Sequence, residues 1–154
     1  MNKIAIKIES SIKYWKRFRT REYDLTNTES EFIMNYAVCT TAMNVNAKAI
    51  IAYTNTGSTA RMVSSFGPGC PIFAITQNKI IYRQLGLAWG IIPKLFEPQP
   101  NIDVLLHKGF DKLREENFLK QGDKVVVAGG TKVLTDIPTE ELQKNGVIGG
   151  VVEI

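Results

Sequence analysis

The sequence predicts an α/β fold built on a mostly parallel sheet. Short apolar runs such as Ala49–Tyr53 and Pro71–Ile75 recur along the chain. Segments with helically spaced apolar residues separate them. Strands joined through helices pair in parallel by right-handed crossovers, which places the runs in one sheet. The 154 residues suit a single domain, 1–154, with a core that needs no disulfide or metal.

Each element has its own signal. Ile4, Ile8, Ile12 and Trp15 fall at helical spacing and predict a leading helix. Ile4, Ile6 and Ile8 also alternate as in a strand, but the longer spacing decides for helix. Residues 19–28 read as a polar linker, so 1–27 divides from an α/β core over 28–154. Thr28 and Glu31 have capping-box spacing, and Glu29 adds charge to the first turn. Ile33, Tyr36, Ala37, Thr40 and Met43 then mark a helix over 31–43. Val38 and Ala42 widen its apolar stripe, and Asn44 and Asn46 end it.

The run 49–53 is the first strand, and Ala60, Met62, Val63 and Phe66 mark a helix stopping at Gly67-Pro68-Gly69. A second strand covers 71–75. Ile80, Ile81, Leu85 and Leu87 mark the next helix, with Gly86 near its end. Gly90–Leu95 is a third strand, near an edge because Pro93 has no amide to donate. Ile102, Leu105, Leu106, Phe110 and Leu113 give a helix over 101–119, and Lys124–Ala128 a fourth strand. Val147-Ile148 and Val151–Ile154 supply the last strand, interrupted by Gly149-Gly150. No helix precedes it, which favours an antiparallel edge position.

The formal charge of +4 is mild and does not point to nucleic acid. The basic cluster Lys13, Lys16, Arg17, Arg19 and Arg21 surrounds Tyr14, Trp15 and Phe18, but no nucleic-acid-binding pattern accompanies it. Its charges are expected to face solvent or a neighbouring domain, with the aromatics packed beneath. No apolar run is long enough to span a membrane, and the first residues do not read as a secretory signal. The two cysteines, Cys39 and Cys70, favour a reduced, cytoplasmic protein.

The chemistry concentrates in Thr54-Asn55-Thr56-Gly57-Ser58-Thr59, between a strand and a helix. Hydroxyls and helix N-terminal amides there suit an anion, phosphate above all. Arg61 adds charge if it turns back. The plain alternative is that Ser and Thr merely cap the helix. Gly129-Gly130-Thr131-Lys132 leaves the fourth strand and would form a facing wall, with Lys132 as a point charge; a flexible turn with a solvent lysine is the other reading. His107 is the only histidine, which argues against a metal site or a histidine triad. Adjacent Glu115 and Glu116 do not make an acid/base pair, and no catalytic residue is assigned.

The same residues resemble the C-terminal domain of pyruvate kinases. The resemblance runs through Ala47–Ile51, Thr54–Arg61, Pro71–Thr76, Arg83-Gln84-Leu85, Trp89–Pro93 and Gly122-Asp123. It implies a three-layer α/β sandwich, its mixed, five-stranded, mostly parallel sheet carrying helices on both faces. It also implies a regulatory and assembly role in a homo-oligomer, dimer or tetramer, beside a catalytic TIM barrel of the same chain. That barrel makes pyruvate and ATP from phosphoenolpyruvate and ADP and would hold the Mg²⁺ and K⁺; 154 residues cannot also contain it. A Met1 start followed by the leading helix fits either an expressed fragment or a free-standing homologue.

The family's effector loop falls on Thr54–Thr59, with a sugar phosphate or inorganic phosphate as the implied ligand. Asn55 stands where some members carry lysine, and Leu105 where some carry a phosphate-binding arginine. Residues 135–146 replace the family's late Gly-rich effector loop. The resemblance therefore leaves an effector-free interaction module of the same fold as the alternative. A small phosphotransfer enzyme is disfavoured, because no nucleophile or base is visible.

Overall fold

Ala49–Tyr53 (β1) is buried at every position, as expected for a strand covered on both faces. A computed structural model of the chain describes residues 7–8, 10–23, 26, 30–129 and 150–153. The helices are α1 (Tyr14–Thr20), α2 (Ser30–Asn44), α3 (Ser58–Phe66), α4 (Lys79–Leu85) and α5 (Ile102–Glu115). The other strands are β2 (Ile72–Thr76), β3 (Ile91–Leu95), β4 (Lys124–Gly129) and β5 (Gly150–Glu153).

The order across the sheet is β3-β2-β1-β4-β5. Its parallel body has four strands, β3, β2, β1 and β4. β5 pairs antiparallel with β4 and makes the sheet mixed. Pro93 lies in the edge strand β3, opposite Ala74.

The two-residue period of the strands divides the core. Ile50, Ala52, Ile72, Ala74, Val126 and Ala128 meet residues of α1–α3, with Leu85 of α4. Ile51, Tyr53, Phe73, Ile75, Val125 and Val127 face the other way, against Leu105, Leu106 and Leu113 of α5. Helices thus flank both faces. Ala52 is in register with Ala74 and with Ala128, a row of small side chains on the face beneath α2 and α3. Each fully buried Ile or Val contributes about 1.5–3 kcal/mol relative to exposure.

Four expected elements change. The leading helix does not run through to Trp15: Ile12 and Lys13 are non-helical, and α1 starts afresh at Tyr14. Ser10 Oγ and Ser11 Oγ donate to the carbonyls of Lys7 and Ile8, at 2.8 and 2.7 Å, where the preceding helical stretch ends. The expected linker over 19–28 begins later, because α1 continues to Thr20. The helix marked by Ile80, Ile81, Leu85 and Leu87 ends at Leu85, and only Leu85 of the four is fully buried. Leu87 is 91% and Ile80 66% exposed.

α5 is shorter than the expected 101–119. Asn101 caps it by accepting from Val104 N–H at 2.9 Å, and it stops at Glu115 before the positive φ of Asn117. Asn46, also at positive φ, follows α2. Thr28 of the capping box, the first-turn Glu29, residues 130–149 and Ile154 lie outside the described residues, and so do Lys132, the 135–146 segment and Val147-Ile148.

Candidate functional site

The strand order switches direction at β1. The chain moves from β1 outward to β2 and β3, then crosses to β4 on the other side. In open α/β sheets the carboxyl ends of strands at such a switch form the ligand crevice. The Thr54–Thr59 turn leaves β1 at that position. Tyr53 is in register with Gly129, so the exit of β4 lies beside it.

The turn is held by its own hydroxyls. Thr54, buried, accepts from Gly57 N–H through Oγ1 at 2.7 Å. Thr56 Oγ1 donates to Ser58 Oγ at 3.1 Å. Gly57 adopts φ +83° and occupies the N-cap of α3 without a side chain to cap it, while Ser58 N–H, the first amide of the helix, donates to Thr56 Oγ1 at 3.4 Å. The hydroxyls of Thr54 and Thr56 therefore serve amides of the turn and of the first helical residue. A glycine N-cap brings no side chain of its own to the first helical turn, and amides at a helix N-terminus attract anions.

Asn55, Thr56 and Ser58 are exposed, whereas Thr59 lies beneath the turn at 2% exposure. The Thr59 hydroxyl is buried without a hydrogen-bond partner, as is the hydroxyl of Tyr53 at the end of β1. Burial pushes the Tyr53 phenol well above its ordinary value.

Arg61 turns back, as its position one helical turn after Gly57 permits. Nη1 donates to Thr56 O at 3.3 Å and Nη2 to Gln84 Oε1 of α4 at 3.2 Å. The guanidinium lies over Gly57, where a Cβ would come within 2.9 Å of Nη2. The partner Gln84 was not legible from sequence, since only the fold brings α4 beside α3. Lys132 lies outside the described residues.

The other candidates separate from this turn. His107 is exposed on α5. Leu105 is buried in the α5 layer. Among the described residues no group of three His, Cys, Asp or Glu side chains is placed to hold a metal ion, and no helix is long and apolar enough to cross a membrane. Trp15 covers Gly69, and Phe18 packs among Tyr23, Tyr36 and Phe66, so these aromatics do lie beneath the basic cluster.

Both cysteines are free. Burial pushes each thiol from 9.0 up to about 12, and the nearby Cys70 adds to the effect at Cys39. A shift of that size cuts the thiolate fraction near pH 8 about a thousandfold. Iodoacetamide should therefore label the native thiols about a thousandfold more slowly than those of the urea-unfolded chain. Mass spectrometry over a labelling time course checks this, and equal rates would contradict the burial.

Comparison with known proteins identifies the lineage of this arrangement. Residues 33–140 match the family model described as the pyruvate kinase alpha/beta domain. The chain belongs to the pyruvate kinase family. It is 32% identical over 152 residues to the pyruvate kinase of Sporosarcina psychrophila, covering 99% of this chain and 26% of that protein. It is 36% identical over 130 residues to the pyruvate kinase of Clostridium acetobutylicum, covering 84% and 27%.

This member of the family thus spans about a quarter of the length of those curated relatives. Among solved structures, a pyruvate kinase from Cryptosporidium parvum superposes with TM-score 0.73 at 21% identity, over 94% of this chain and 27% of that one. At that identity the likeness concerns the fold.

Proposed function

We propose that this chain is the regulatory and assembly domain of a pyruvate kinase, catalytically inert alone, and that its Thr54–Thr59 turn receives a phosphate-bearing effector. The observation that carries the ligand reading is the glycine-capped N-terminus of α3, where a hydroxyl-bearing turn meets the strand-order switch. Asn55, Thr56 and Ser58 present the accessible side of the Thr54–Thr59 loop, with Thr54 and Thr59 buried behind them, and Lys132 would supply a point charge. The chain would operate beside a catalytic barrel and within a homo-oligomer. Ile33 and Met34, exposed on α2, offer apolar surface for assembly.

Calorimetric titration with inorganic phosphate and with fructose 1,6-bisphosphate tests the site. Thr56→Ala removes an exposed hydroxyl and is expected to weaken binding about tenfold. Thr59→Val removes an orphaned buried hydroxyl and is expected to stabilise the unliganded chain by about 1 kcal/mol in urea unfolding. No heat of binding for the parent chain, or equal affinities for parent and Thr56→Ala, would remove the effector role.

One observation favours a second reading, an effector-free interaction module. Asn55 brings no charge, and the Arg61 guanidinium is already engaged by Thr56 and Gln84. That reading expects no phosphate binding but retained self-association in sedimentation.

A further inference from the structure

At the opposite, amino-terminal end of the parallel strands lies a cavity of about 450 Å³. It is within the usual size range of small-ligand sites. Its walls come from α1, the last turn of α3 and Trp89 in the segment before β3. We propose that this cavity binds a planar aromatic anion, a ring system bearing a carboxylate or phosphate. The proposal is independent of the effector reading of the Thr54–Thr59 turn.

Helical spacing supplies the first argument. Tyr14, Arg17, Phe18 and Arg21 fall on one face of the α1 segment and its C-cap, and all four line the cavity. Phe18 on that face is buried, whereas Lys13, Lys16 and Arg19 do not line the cavity. Arg17 and Arg21, both exposed, therefore stand at the cavity's rim on the side of α1 that carries the anchoring Phe18.

Charge supplies the second. The lining contains no carboxylate, and neither arginine forms an ion pair among the described residues. The C-terminus of α3 contributes about −0.5 of a charge nearby. Two guanidiniums more than offset it, leaving a net positive site.

The walls are also fixed in place. Ser64 Oγ donates to Trp89 O at 2.6 Å, and Tyr23 OH donates to Phe66 O at 3.3 Å. The Tyr14 and Trp89 rings pack with centroids 5.2 Å apart, and the Arg21 guanidinium lies 5.4 Å from the Tyr23 ring centre. Aromatic faces can take a planar ring, while the arginines take its anionic group.

The probe is 2-naphthoate, with naphthalene-2-carboxamide as its neutral isostere, titrated into the chain by calorimetry and by NMR of the Trp89 indole N–H. Naphthoate is expected to bind about tenfold or more tightly than the carboxamide and to shift the Trp89 signal. Arg17→Gln with Arg21→Gln should weaken naphthoate about tenfold or more, while Lys13→Gln with Lys16→Gln and Thr56→Ala leave it unchanged. Circular dichroism and thermal melts establish that each variant remains folded. The proposal is overturned by no naphthoate binding at millimolar concentration, by equal binding of the carboxamide, or by equal loss in the Lys13/Lys16 pair. Unchanged affinity in a folded Arg17/Arg21 double variant overturns it as well.

Discussion

Gly57→Val is expected to destabilise the chain by about 3 kcal/mol and to abolish phosphate binding at the turn. Two costs add. Gly57 sits at φ +83°, where an L side chain clashes with its own backbone and a β-branched one fares worst. The new Cβ would also stand 2.9 Å from Arg61 Nη2, displacing the guanidinium that donates to Thr56 and Gln84. Gly57→Asn serves as the comparison, because asparagine tolerates the left-handed region and should lose less through backbone strain. Urea unfolding of both variants reads the difference. A Gly57→Val chain within 1 kcal/mol of the parent would mean that the turn adopts another conformation.

The central strands β1, β2 and β4 were legible because they are buried on both faces. Continuous runs such as Ala49–Tyr53 and Val125–Ala128 have no solvent side to carry polar residues. The loop at the end of β1 was legible for a related reason, a sudden gathering of hydroxyls after an apolar run. Periodicity failed where local bonding or chain direction overrode it. The 4-8-12-15 spacing continues through Ile12-Lys13, yet Ser10 and Ser11 bond back to the carbonyls that would extend the helix. Leu87 keeps helical spacing with Ile80, but the chain has left the helix by then and the side chain points outward.

The site was only partly legible. Sequence placed Arg61 near the turn without deciding its direction, which depends on Gln84 arriving from α4. It gathered Thr59 with the other hydroxyls, whereas α3 turns it inward. The α1 cavity was missed although its signal was present. Tyr14, Arg17, Phe18 and Arg21 share a helix face, but the basic cluster drew attention to total charge rather than to which cations share the face of Phe18.

Phe18→Ala should produce the largest change on the other side of the molecule. Phe18 is 4% exposed and packs against the rings of Trp15, Tyr23, Tyr36 and Phe66. Truncating a buried phenylalanine costs about 3–5 kcal/mol. α1 is only 7 residues long and holds no stable helix by itself, so its order depends on this anchor. The loss should therefore appear first as detachment of α1, before the sheet unfolds. Trypsin should cut after Lys16, Arg17, Arg19 or Arg21 in native conditions, leaving the region from β1 to β4 intact, and naphthoate binding should disappear with the cavity wall. Phe18→Leu retains most of the apolar volume and should resist cleavage better. If Phe18→Ala keeps α1 protected from trypsin, the helix is held by something other than this aromatic cluster. If the variant instead loses all structure in a single transition, α1 is part of the core's cooperative unit and not an appended wall.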